Sequence, residues 1–113
     1  MRDDIKLNER AKAISQELVE KLETVYDSEI ELDIYNLGLI YEINLDDNGH
    51  CRVVMTFTDV GCGCTETLPL DLADTLKTID GIDSATVEVV WQPAWKITRI
   101  SRFGRIALGI SPK

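Results

Sequence analysis

The chain has 113 residues, with 12 Lys and Arg against 20 Asp and Glu and a formal net charge of −8. That length accommodates a single domain, 1–113, whose core needs no disulfide or metal staple, and 44% hydrophobic residues exclude a disordered chain. No apolar run is long enough to span a bilayer, and an acidic surface opposes the phosphate backbone of nucleic acid. Three cysteines behind an N-terminus without an apolar signal segment point to reduced thiols in a cytoplasmic protein.

Residues 8–26 read as a helix, because Ala11, Ile14, Leu18, Leu22 and Val25 recur at spacings of three and four. The periodicity stops at an acidic run, Asp27, Glu29, Glu31 and Asp33, which reads as a connection. Residues 39–45 alternate as a strand, Asp46-Asp47-Asn48-Gly49 signals a hairpin, and 50–58 form the return strand. Cys51, Val53, Met55 and Phe57 share one face of that strand, so Cys51 reads as core. Leu68, Leu72, Ala73, Leu76 and Ile79 form the stripe of a second helix with Pro69 in its first turn. Residues 84–91 alternate as a third strand, and the last helix runs from Thr98 to Leu108, with Ile100, Phe103 and Ala107 inward. This order gives an α+β fold, a small, mostly three-stranded sheet with helices packed on one face.

The charge is uneven. All 20 acids precede residue 91, whereas the last 23 residues hold five bases and no acid. Arg99, Arg102 and Arg105 form a basic stripe on the outer side of the expected last helix. Such a stripe either docks on the acidic body or steers an acidic partner.

The loop from Asp59 to Thr67 carries the chemistry. Cys62 lies between Gly61 and Gly63 and shortly before a helix N-terminus, where free N–H groups favour the thiolate. Cys64 makes a C-x-C pair able to present two thiolates to one metal, but tetrahedral closure needs further ligands. His50 is the only histidine and sits beside the hairpin turn. That set leaves an open, labile or intersubunit metal site rather than a closed structural zinc. A P-loop, a G-x-G-x-x-G and an H-E-x-x-H are all absent, so no organic cofactor is implied.

Four segments together resemble the PaaD-like/SufT-like family. Asp27-Ser28-Glu29-Ile30, followed by Asp33-Ile34-Tyr35-Asn36-Leu37-Gly38-Leu39-Ile40-Tyr41, resembles its D-P-E-[IL]…D-[IV]-x-x-L-G-[LI]-[IV]-Y signature. Thr56 to Cys62 resembles T-x-T-x-x-G-C, Val90 to Trp95 resembles V-W-x-P-x-W, and Ser101 to Ile110 resembles S-x-x-[AG]-[RK]-x-x-L-G-[IL]. The resemblance spans roughly residues 8–111. It implies the small iron–sulfur-cluster-assembly fold and a cytoplasmic accessory factor of the SUF type. Such a factor assembles or delivers iron–sulfur clusters, with a cluster scaffold and client apoproteins as partners. It implies Cys62 as the functional centre, with Asp27, Glu29, Thr58 and Gly61 shaping its pocket. Iron or a cluster would be held transiently by Cys62, with Cys64 as a second ligand. Ser28 and Gly63 stand where the family favours proline, and Cys64 is an added thiol. A second copy of the chain is a further candidate partner. Two other classes stay open on the residues alone: an enzyme with a thiolate nucleophile, and a non-catalytic adaptor binding through its Trp91–Trp95 surface.

Overall fold

The computed structural model describes residues 5–27, 32–57, 67–92 and 94–109, with the side chains of Asp27 and Ile97 outside that description. The elements in chain order are β1 (Lys6–Leu7), α1 (Glu9–Ala13), α2 (Ser15–Leu22), β2 (Tyr26–Asp27), β3 (Leu32–Asp33), α3 (Ile34–Leu37), β4 (Ile40–Leu45), β5 (His50–Met55), α4 (Leu68–Leu76), β6 (Ser84–Val89), a 3-10 turn (Ile97–Arg99) and α5 (Arg102–Ala107). One sheet has the order β1-β4-β5-β6, and β2 and β3 form a separate antiparallel pair. β4 and β5 are antiparallel, while β1 on β4 and β6 on β5 are parallel. The expected three strands are all present, and β1 adds a short fourth at the edge.

The hairpin forms for the anticipated reason. Gly49 adopts φ +83, and Asp46 Oδ1 accepts from the Asn48 and His50 amides, each at 2.9 Å. These bonds, that from His50 first, hold the Asp46 carboxyl below its usual pKa. Ile43, Leu45, Cys51, Val53 and Met55 face the core, where they meet Leu18 and Leu22 of α2 and Leu68, Leu72 and Leu76 of α4. The opposite sheet face is polar. Arg52 bridges Glu42 and Glu88 across three strands, and the His50 ring sits between the Ser84 and Thr86 hydroxyls.

The first expected helix is two. Asn8 caps α1 by accepting from Ala11 N, and it also bonds Leu45 N and Leu45 O on β4. α1 is therefore aligned by β4, whereas α2 follows its contacts with α3 and α4. The chain changes direction between them at Ile14 (φ −116, ψ 25). The last expected helix is also shorter, because Ser101 caps α5 by accepting from Gly104 N at 3.0 Å. Its facing differs from expectation. Ile100 is buried, but Phe103 is 64% exposed and Ala107 lies on the surface, because it is the Cβ-less Gly104 that packs against Leu32.

Candidate functional site

β4 begins and β5 and β6 end at the same end of the sheet, as the Ile40–Met55 and Met55–Val89 pairings show. Every segment flanking the motifs converges there. Phe57 follows β5 and is buried, Thr67 precedes α4, and Leu32–Asp33 lead directly into α3 and so to β4. Cys62, Cys64, Thr58, Gly61 and Glu29, and the side chain of Asp27, lie outside the described residues. What the structure shows is the frame from which those segments emerge.

The frame is built on α3. Asp33, 4% exposed, caps it by accepting from Asn36 N at 2.9 Å, and it also accepts from Asn36 Nδ2. Gly38 closes it in the left-handed region at φ +76. The C-terminal segment then docks on this single turn. Trp95 Nε1 donates to Leu37 O at 2.7 Å, Arg99 Nε to Gly38 O at 2.7 Å, Ser101 Oγ to Asn36 Oδ1 at 2.6 Å, and Ser101 N to Asn36 O at 2.8 Å. Three of the recognised motifs, beginning at Asp33, Val90 and Ser101, thus contribute to one clamp, with Arg99 between the last two. A cap residue at Asp33 and a glycine five positions on were the signals for α3 that the alternation and helical periodicities passed over.

The clamp meets the sheet through Val90, Trp91 and Tyr41. Val90 N donates to Met55 O, and the Trp91 ring lies 6.2 Å from that of Phe57. The β4 register shifts between Ile40 and Glu42, and the Arg99 guanidinium covers the Tyr41 ring there at 4.5 Å. Burial raises the Tyr41 pKa, with Arg99 and the Thr56 hydroxyl opposing. The buried Thr56 hydroxyl approaches that phenol without reaching hydrogen-bond geometry.

The three arginines do not form the expected outward stripe. Arg99 is half-buried and bonds the carbonyls of Gly38 and Ile40, and Arg105 bonds those of Ile100 and Thr98. Only Arg102 of the three is exposed. Both guanidiniums close loop carbonyls, which spacing in the sequence cannot reveal.

Cys51 is fully buried, and that burial pushes its thiol up to about 11. Among the described residues, no three His, Cys, Asp or Glu side chains gather where they could hold a metal ion. Thr67 stands at the cap position of α4 and its side chain makes no capping hydrogen bond.

Residues 15–89 match the family model described as iron–sulfur cluster assembly protein. The chain belongs to the iron–sulfur cluster assembly protein family. Within that family it is 41% identical over 87 residues to the Fe-S protein maturation auxiliary factor SufT of Staphylococcus aureus (strain USA300), covering 77% of this chain and 99% of that one. It is 34% identical over 98 residues to the Fe-S protein maturation auxiliary factor YitW of Bacillus subtilis (strain 168), covering 87% and 96%. The crystal structure of a domain of unknown function, DUF59, from Bacillus anthracis superposes with a TM-score of 0.81 at 38% identity, covering 88% of this chain and 95% of that one. The α+β assembly fold implied by the motifs is therefore the fold of this family member. No helix among the described residues is long and apolar enough to cross a membrane.

Proposed function

We propose that this protein is an accessory factor in iron–sulfur protein maturation that acts in the cytoplasm through the thiolate of Cys62. The observation that carries the reading is the match to SufT, which extends over 99% of that relative, so the likeness is to the whole maturation factor. Cys62 falls five residues before Thr67, whose side chain leaves the first turn of α4 without a capping bond. Free N–H groups there favour a nearby anion and lower a thiol's pKa. Iron or a cluster is then cargo, taken transiently by Cys62 with Cys64 as a second soft ligand. Asp27, Glu29, Thr58 and Gly61 shape the pocket, and a cluster scaffold and client apoproteins are the partners. Arg102 is an exposed base next to the clamp, open to an acidic partner.

The test is anaerobic iron and sulfide loading of wild type beside Cys62→Ser and Cys64→Ser, combined with rescue of a client iron–sulfur enzyme in cells lacking the protein. Cys62→Ser should lose both metal uptake and rescue while melting like wild type. Full rescue by Cys62→Ser would overturn the thiolate, and normal client activity in the deleted cells would overturn the maturation role.

A further inference from the structure

We propose that the free edge of β6 pairs with β6 of a second copy of this chain, joining two sheets into one. Ser84 N donates to Gly49 O and Val90 N to Met55 O, so the amides and carbonyls of even-numbered β6 residues face β5. The parallel ladder repeats every two residues, which turns the backbone groups of Ala85, Val87 and Val89 outward. Among the described residues nothing pairs with them. After Val90 the chain turns back over Phe57 toward Leu37, and no other described residue covers this edge.

The two sheet edges differ in how they are guarded. β1 is two residues long and carries Lys6, both of which discourage strand addition. β6 has six residues, with no proline, lysine or bulge. Its helix-side residues, Ala85, Val87 and Val89, are half-buried, which leaves apolar surface for a neighbour to cover.

The occupant follows from the register. An antiparallel pairing about a two-fold axis at Val87 sets Val87 against Val87 of the second copy and Ala85 against its Val89. All three outward residues then become doubly hydrogen-bonded pairs, and their side chains stay on the helix side. The same register places Glu88 opposite Thr86 of the second copy. The two Glu88 carboxylates do not face each other, and each stays paired with its own Arg52. A strand that satisfies its own partner in this way has the self-complementarity of an isologous dimer. Because each copy carries −8, pairing should strengthen with salt. The proposal is independent of the thiolate.

Sedimentation and amide hydrogen exchange of the full chain over micromolar to millimolar concentration test it. A dimer is expected in which the amides of Ala85, Val87 and Val89 exchange at least about tenfold more slowly than at high dilution, while those of Thr86 and Glu88 are protected throughout. Val87→Pro removes an outward N–H without touching the β5 ladder, and Val87→Lys guards the edge with a long charged side chain that can reach water. Both should be monomeric, and the lysine variant covers the case in which the proline variant does not fold. A chain that stays monomeric throughout overturns the proposal, as does a dimer that persists in folded Val87→Lys. Protection of the three amides only on adding another protein would also overturn it, in favour of a client strand.

Discussion

Cys51 carries the same chemical group as Cys62, for which a thiolate is proposed above. Cys51 sits in β5 with no exposure, and loss of solvation moves its pKa from 9.0 to about 11. Alkylation of the native protein near neutral pH should therefore map first to Cys62 and reach Cys51 only on unfolding. Early labelling of Cys51 would contradict its burial. A raised thiol pKa also ties stability to pH. The native state keeps the proton while the unfolded chain releases it near pH 9. The contribution is present in full below that value and is lost as pH rises through about 11. Wild type should lose on the order of 1 to 2 kcal/mol more than Cys51→Ala between pH 9 and 11. Urea midpoints of the two proteins across that range give the difference directly. At pH 7 the alanine variant itself should cost only about 1 kcal/mol, because little volume is removed.

The element that organises the site end is the single turn α3 with the C-terminal segment clasped to it. Gly38 is needed there twice, for its φ of +76 and because a Cβ would meet Arg99 O at 2.5 Å. Gly38→Ala should destabilise by about 3 kcal/mol, and more than Gly81→Ala, where φ is also positive but a Cβ meets nothing. Denaturant unfolding of both variants separates close packing from backbone strain. Asp33 and Ser101 belong to one hydrogen-bonded chain through Asn36. Asp33→Ala and Ser101→Ala should each cost about 1–2 kcal/mol, and the double variant less than their sum. Strict additivity in that cycle would show the two caps to be independent. The Asp33 cap and the αL glycine are local signals readable in the sequence. That Ser101 and Trp95 complete them from about 60 residues away is not, since no local pattern encodes a long-range partner.

For the molecule as a whole, charge and contact act on different terms. The described ion pairs, such as Arg10–Asp47 and Lys77–Asp74, are solvent-exposed and contribute about 0–1 kcal/mol each. The basic tail is held instead by carbonyls and the Tyr41 ring. Raising NaCl from low concentration to about 0.15 M should therefore raise the melting temperature by screening the net charge of −8, without loosening the C-terminal segment. A melting temperature that falls with salt would show attractive surface pairs to dominate. Arg102→Glu, at an exposed position, should leave that temperature unchanged and slow association with an acidic partner at low salt, a difference that stopped-flow mixing reads.

The sequence alone determined the Asn48-Gly49 hairpin, the faces of β5 and of β4 from Glu42 onward, the core role of Cys51 and the family, because each rests on short-range periodicity, turn chemistry or a motif. The shift between Ile40 and Glu42, which buries Ile40 and leaves Tyr41 half-buried, broke the alternation at the start of β4. Residue type and spacing also point to Cys62 and its loop, which lie outside the described residues. Only the tertiary structure decided that Arg99 and Arg105 turn inward, that Gly104 rather than Phe103 faces the body, and that the first helix breaks at Ile14. In each case the deciding partner lies on another element: the Gly38 and Ile40 carbonyls for Arg99, Leu32 for Gly104, and Leu45 through Asn8 for the start of α1. Helical and strand periods report which residues share a face. Which face is buried depends on what the rest of the chain brings to meet it.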